Sequence, residues 1–365
     1  MEVNLIDPGL LSRGGHHFEW CLSIARHLSE QSHSTMLYVH IDIDDEAIQA
    51  LSKHCLVVPL FSEDPYKATN NKDDTLSELT KYLEPVEILQ RELTETSPAD
   101  LNIWPTLFGY QLSAFEALKS KGRIATCIHF PPNMRAGVLS VGIWRHGAHL
   151  VKKHDLDISF GVTVPELIPP YTKLLSAQIN ELPLLVSGRT AEHPKTELKS
   201  IGFFGQQKPG KGSKLIPELV QRLHRSGYNL TIQDSGNHMK VTEAPGLKQL
   251  SYVESLADEI NKVDLVIAPY NPEHYRAMGS GVVWDAVASG VPIVAPAGTS
   301  PGNFISRHRA GVLFDEFTAQ SVLEAVDTAH KRYDEIADHA FHACQNWETS
   351  HGIEKFVAAL IAMGN

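Results

Sequence analysis

The sequence predicts an α/β protein of two doubly wound domains, each built on an open parallel sheet. Three observations predict it. Short apolar runs alternate with segments of helical periodicity almost throughout the chain, the pattern of βαβ units whose crossovers cover both faces of a parallel sheet. The alternation lapses once, in the polar stretch from Ser187 to Glu197, and then restarts. A length of 365 residues is long for a single hydrophobic core and comfortable for two.

In the first half, Val3 to Ile6 reads as a short buried strand, after which Phe18, Cys21, Leu22, Ala25 and Leu28 recur at helical spacing. Met36 to Ile41 is the next strand, followed by a helix through Ile48 and Leu51 and a strand at Leu56 to Leu60. The Asn- and Asp-rich stretch from Glu63 to Thr75 reads as an exposed loop. A helix over Leu76 to Leu93 leads to a strand at Asp100 to Trp104, and a helix over Leu107 to Leu118 leads to a strand at Arg123 to His129. His146, His149 and His154 read as polar positions on a further helix, with no function assigned.

In the second half, strands are expected at Ile201 to Phe204, Leu230 to Gln233, Leu265 to Pro269 and Pro292 to Ala295, with helices at Ser213 to Arg225 and Gly281 to Ser289. At the end, Ile353, Phe356, Val357, Leu360 and Ile361 fall on one helical face. The expected domains are 1–186 and 198–334, with the segment of about 335–365 packing back on the first.

Composition narrows the function. A net charge of −11 lacks the broad positive field that phosphate backbones require, which argues against a nucleic-acid partner. The four cysteines are far apart in apolar stretches, neither a zinc pattern nor a disulfide framework, so a reducing, cytoplasmic setting is expected. The first residues lack the pattern of a signal peptide, and no run is long and apolar enough to span a bilayer. Any membrane contact is therefore expected to be peripheral, at the inner face, although no polybasic amphipathic helix stands out.

Ligands of open parallel sheets bind at strand-end loops and helix N-termini, and the chemistry-bearing residues cluster there. Ile201 to Phe204 runs into Gly205-Gln206-Gln207-Lys208-Pro209-Gly210-Lys211-Gly212. The glycines let backbone approach a ligand, and Lys211 brings a cation to an expected helix start. The spacing is not that of a Walker A loop. Further on, Gly279, Ser280 and Gly281 open a helix whose amides can hold phosphate, and Asp285 lies one turn in, within reach of ribose hydroxyls. Gly290 is the expected left-handed cap of that helix. In the first half, Gly14 and Gly15 follow the first strand and lead to His16 and His17, and His129 ends a strand before Phe130-Pro131-Pro132. The histidines have no metal spacing, and no metal site is expected.

Gly205 to Gly212 resembles the G-R-x-x-x-x-K-G segment of retaining GT-B glycosyltransferases of the sucrose-synthase and mannosyltransferase type, also called family 4-like or group 1. Gly290-Val-Pro-Ile-Val-Ala-Pro resembles their G-x-P-V-V-A-T strand, and Gly311-Val-Leu-Phe-Asp a later one. The resemblance covers most of residues 200–330 and is weaker before them. It implies two Rossmann-like doubly wound domains facing a central cleft (GT-B), and transfer of a sugar from a nucleotide-diphosphate sugar to a hydroxyl of a glycan or lipid-linked acceptor. Retention without a metal is implied, and no cofactor, the nucleotide sugar being a substrate; polysaccharide synthesis is the setting suggested.

By the same resemblance, Gly14, Gly15 and His16 close over the donor phosphates, and Gly205, Gln206, Lys211, Arg276, Ser280 and Gly281 line the donor. Asp285 holds its ribose, His129 orients the acceptor, and Lys211 stabilises the leaving group. Two departures stand out. Gln206 replaces the family's arginine, and Ala277 stands where its first glutamate belongs. They motivate a rival reading, a nucleotide-sugar-binding scaffold with impaired catalysis; a sugar-nucleotide epimerase on the same fold is a third. A Rossmann oxidoreductase is set aside, because neither glycine loop has the G-x-G-x-x-G spacing.

Overall fold

The computed structural model describes the chain apart from residues 69–74, 134–139, 189–190, 235–244, 252, 254 and 364–365, and apart from the side chains of 67–81. It divides into two compact units, Met1–Leu185 with Ile353–Asn365, and Val186–Gly352. Each unit is a parallel sheet covered by helices.

The first sheet has seven strands: β1 (Glu2–Asp7), β2 (Ser34–His40), β3 (Leu56–Phe61), β4 (Leu101–Trp104), β5 (Arg123–Ile128), β6 (Ile158–Val162) and β7 (Ile179–Glu181), in the order β3-β2-β1-β4-β5-β6-β7. Its helices are α1 (Gly15–Glu30), α2 (Asp45–Leu51), α3 (Pro65–Ala68), α4 (Thr75–Thr94), α5 (Ser140–Lys153) and α6 (Ile168–Leu175). The apolar run of β1 follows from burial on both faces, as parallel strands require. Register at the centre is pinned by a polar pair: Asn4 Nδ2 donates to Asn102 Oδ1 at 3.0 Å and to the Ser97 carbonyl at 2.7 Å, and Asn102 Nδ2 donates to the Lys121 carbonyl at 2.9 Å.

The second sheet has six strands: β8 (Ser200–Phe203), β9 (Asn229–Gln233), β10 (Leu247–Leu250), β11 (Leu265–Ile267), β12 (Ile293–Pro296) and β13 (Gly311–Phe314), in the order β10-β9-β8-β11-β12-β13. Around it lie α7 (Ile216–Arg225), α8 (Leu256–Asn261), α9 (Pro272–Tyr275), α10 (Gly281–Ala288), α11 (Ser300–His308), α12 (Ala319–Lys331), α13 (Tyr333–Gln345) and α14 (Trp347–Ser350). The last helix, α15 (Ile353–Ala362), belongs to the first unit. There Phe356, Val357 and Leu360 share a core with Leu5, Phe18, Ile24 and Leu28. Within the second unit, Trp347 Nε1 donates to the Val186 carbonyl, Gly188 N donates to Glu348 Oε1, and Gln345 Nε2 donates to the Ala191 carbonyl, each at 2.7 Å.

Several expectations shift in detail. Residues 335–352 of the segment expected to pack on the first domain belong instead to the second unit, within α13 and α14 and the turn after them. The helix expected over Leu107 to Leu118 is a 3-10 helix limited to Gln111–Leu118, because Leu107 N bonds to the carbonyl of Cys127 in β5 rather than within a helix. The loop expected from Glu63 to Thr75 contains α3, and its middle lies outside the described residues. Leu198, just past the polar stretch, is in the second core. Among the described residues no helix is long and apolar enough to cross a membrane.

Each sheet starts near its middle and grows both ways, so the strand order reverses between β1 and β4 and between β8 and β11. Ligands bind at such switch points, where the two outgoing loops diverge and leave a crevice.

Candidate functional site

In the second unit, β8 ends at Phe203 and the chain turns at Gly205, whose φ of +84° favours glycine. Gly205 N donates to Gln233 Oε1 at 2.7 Å, and Gln207 Nε2 donates to the carbonyls of Gly205 (3.1 Å) and Gln233 (2.8 Å). These bonds fasten the loop to the end of β9. The loop is thus held by Gln207, which is buried, whereas Gln206 is exposed.

Lys211 is not at a helix start as expected. It closes a 3-10 turn, Pro209–Lys211, and α7 begins five residues later. The turn folds its side chain back over the loop: a Cβ on Gly205 would lie 2.7 Å from Lys211 Nζ and 3.1 Å from Val282 Cγ2. Lys211 Nζ also lies 5.7 Å from the centre of the Tyr270 ring, which follows β11. The Lys211 backbone N–H donates to the Lys208 carbonyl at 2.9 Å, but among the described residues its ammonium makes no hydrogen bond or ion pair. Burial, with Lys208 adding to it, pushes its ammonium down to about 8.

The first turn of α10 arrives at the same place. Ser280 caps it, its hydroxyl accepting from Val283 N at 3.4 Å and pairing with Tyr270 Oη at 2.9 Å. The Ser280 side chain is therefore engaged, and the helix offers a ligand its first-turn amides. A Cβ on Gly281 would meet nothing within 4 Å. The structure thus brings Gly205, Lys211, Ser280 and Gly281 to one switch point. Asp285 is half-buried on the second turn of α10, and Gly290 ends that helix at φ +71°. Arg276 is exposed and, among the described residues, makes no hydrogen bond or ion pair, so no contact ties it to Lys211.

In the first unit, Gly14 and Gly15 have φ of +126° and +74° and open α1 with no side-chain cap, leaving its first-turn amides to other partners. His16 is exposed beside them. His129 follows β5, with Nε2 2.7 Å from the Pro105 carbonyl after β4. A carbonyl only accepts, so Nε2 carries the proton and Nδ1 is the acceptor nitrogen, 3.9 Å from the Cys127 sulfur. Burial pushes the imidazole down to about 4, against the Pro105 bond, and it is neutral near pH 7. Trp20 of α1 stands edge-on to it at 4.6 Å.

The sequence reading passed over a buried pair in this unit. Asp7, at the end of β1, lies 2.8 Å from His17 Nδ1. His17 Nε2 lies 2.8 Å from Tyr66 Oη, which lies 3.1 Å from His16 Nε2. Burial alone would raise the Asp7 carboxyl, but the charge and hydrogen bond of His17 outweigh it and hold Asp7 below its ordinary value. Burial would lower His17, but Asp7 outweighs it and raises the imidazole. Gly9 is required here, since its Cβ would lie 2.9 Å from the His17 ring. The signal for the pair is an aspartate closing a strand and a histidine opening the next helix, joined by no fixed spacing.

No family model and no curated sequence matches the chain. Its likeness is to solved structures. A sucrose-phosphate synthase from Thermosynechococcus elongatus aligns with 98% of this chain and 97% of its own, at TM-score 0.67 and 11% identity. A glycosyltransferase from Rickettsia africae aligns over 99% and 96%, at TM-score 0.67 and 10% identity. The Anabaena protein HepE, in complex with UDP-glucose, aligns over 99% and 98%, at TM-score 0.65 and 14% identity. At these identities the likeness is one of fold: the chain has the two α/β domains of GT-B structures.

Proposed function

We propose that the chain is a glycosyltransferase that moves a sugar from a nucleotide-diphosphate donor to a hydroxyl of a glycan or lipid-linked acceptor. One observation carries this reading. Lys211 is a half-buried cation whose ammonium, among the described residues, makes no hydrogen bond or ion pair, set over Gly205 and next to the first turn of α10. A buried charge without a partner is costly, so the place suits an anion. A diphosphate meets Lys211 and the amides of Gly281 and Val282 together. HepE, of the same fold, binds UDP and UDP-glucose, which supports a sugar nucleotide as that anion.

In this reading the bond between the sugar's anomeric carbon and the diphosphate oxygen breaks, and a bond from that carbon to the acceptor oxygen forms. The charge left on the diphosphate falls on Lys211 and the helix amides, preorganised donors that need no metal. Asp285 accepts from the ribose. His129, neutral with Nδ1 as acceptor, orients the attacking hydroxyl. The Gly14–Gly15 turn and His16 close over the phosphates, and retention follows the family resemblance. Ala277, in place of a glutamate, keeps the scaffold reading as the rival.

Binding of a panel of nucleotide-diphosphate sugars, followed by thermal shift, tests this. A donor that binds the native state alone adds about 2.7 kcal/mol at a hundredfold excess over Kd. We expect one donor class to stabilise the protein and Lys211→Met to abolish the shift. Because the variant removes a half-buried cation that has no hydrogen bond or ion pair among the described residues, its ligand-free stability should be equal or higher. Binding of no donor by folded protein overturns the reading. Binding without transfer to any hydroxyl acceptor favours the scaffold.

A further inference from the structure

At the carboxyl end of β1, Asp7, His17, Tyr66 and His16 stand in one hydrogen-bonded line, with successive separations of 2.8, 2.8 and 3.1 Å. The inner end is buried and the outer end, His16, is exposed. The transfer proposed above gives the three inner members no task.

Proton counting along the line has a consequence. Ionised Asp7 only accepts, so His17 Nδ1 donates to it. The Tyr66 hydroxyl has one proton, so its behaviour towards His16 depends on His17. When His17 is charged, its Nε2–H donates to the Tyr66 oxygen, and the Tyr66 hydroxyl donates to His16 Nε2. His16 is then neutral, with its proton on Nδ1. When His17 is neutral, its Nε2 accepts from Tyr66. The Tyr66 oxygen then accepts from a protonated His16 Nε2, and Nδ1 of a neutral His16 becomes an acceptor.

We propose that Tyr66 is a positioning residue that couples the tautomer of exposed His16 to the protonation of buried His17. A single proton in the interior thereby inverts the hydrogen-bonding sense of a surface group. The groups facing His17 are Asp7 from β1, His16 from α1, Tyr66 and Asp64 from the α3 segment, and His129 after β5, while the Cys21 thiol of α1 donates to Asp7. Asp7 and Asp64 hold the charged state to higher pH than a free histidine would keep it. If His16 meets donor phosphates, the first state offers a phosphate oxygen an N–H, and the second suits a hydroxyl instead. This last step rests on the function proposed above; the coupling does not.

Nitrogen-15 spectra of the histidine rings, recorded on the ligand-free protein from about pH 5.5 to 9 to bracket the histidine range, test the coupling. We expect Nδ1 and Nε2 of His16 to exchange protonated and unprotonated positions with the same midpoint as His17. In Tyr66→Phe, His17 should still titrate while the His16 tautomer ceases to follow it. In Asp7→Asn, both midpoints should move down together. A His16 tautomer that stays constant through the His17 transition overturns the proposal, as does tracking that persists in Tyr66→Phe. The wild-type titration is decisive even if a variant fails to fold. No sugar donor is involved, so failure here leaves the transfer reading standing, and failure to bind donors leaves the coupling intact.

Discussion

Asp7 and His17 form an ion pair whose two members set opposite pH limits. The folded His17 value lies above the ordinary one, so its stabilisation is complete below about pH 6.5 and is lost as pH rises through the raised value. The Asp7 value is depressed, so its stabilisation is present above the ordinary carboxylate range and is lost as pH falls through the lowered value. Chemical denaturation of the wild type and His17→Gln should therefore differ most near pH 5 to 6 and converge as the solution turns alkaline. A gap that widens with pH would contradict the assignment. His129, pushed down to about 4 by burial, should add no break to the pH profile of transfer between about pH 5 and 8. Glycines and Lys211 were legible from sequence because each sits beside a strand end that its neighbours define. The Asp7–His17–Tyr66 line was not, because Tyr66 is 49 residues from His17 and only the packing of α3 joins them. Gln206 and Gln207 are adjacent and chemically identical, and only the turn decides which one faces inward.

The strand-to-helix connections carry most of the candidate site, and each depends on a few backbone choices. Gly212 has φ +76°, and a Cβ there would overlap the Pro269 carbonyl. Gly212→Ala should cost at least about 1–2 kcal/mol for the left-handed backbone alone, measurable as a lower urea midpoint, and should displace Lys211 and weaken donor binding. In the other unit, Asn102 bridges Asn4 and the chain before β5 while fully buried. Asn102→Ala strands those partners and should lower stability by about 1–3 kcal/mol, whereas a null effect would mean that water replaces the amide. The central strands were readable because they are apolar runs buried on both faces. The edge strand β10, Leu247–Leu250, is Leu-Lys-Gln-Leu with both polar residues exposed. It shows no such run, and only pairing with β9 defines it.

The two-domain architecture was the most legible feature, since the sheets repeat one winding scheme on either side of a polar stretch. What composition could not place was the owner of the final helices. Helices α13 and α15 are both amphipathic, yet α13 contributes Tyr333, Ile336 and Ala337 to the second core while Phe356, Val357 and Leu360 of α15 complete the first. Deleting residues 353–365 should therefore destabilise the first unit, by about 1.5–3 kcal/mol for each buried side chain lost. Hydrogen exchange should show β1 and β5 opening while β8 and β11 stay protected; equal loss in both would refute the division. Val186, Gly188 and Ala191 are tied to Trp347, Glu348 and Gln345 within the second unit, so the segment that leaves the first unit is fastened beside the one that returns to it. During synthesis this imposes an order. The amino-terminal half emerges first but lacks one wall of its core, and the second unit is an intact insert that can finish folding while the first still waits. At about 5–20 residues per second, the nascent first unit spends some ten seconds or more with the α15-facing side of its core open to whatever binds exposed apolar surface, and that core closes only once α15 itself has emerged.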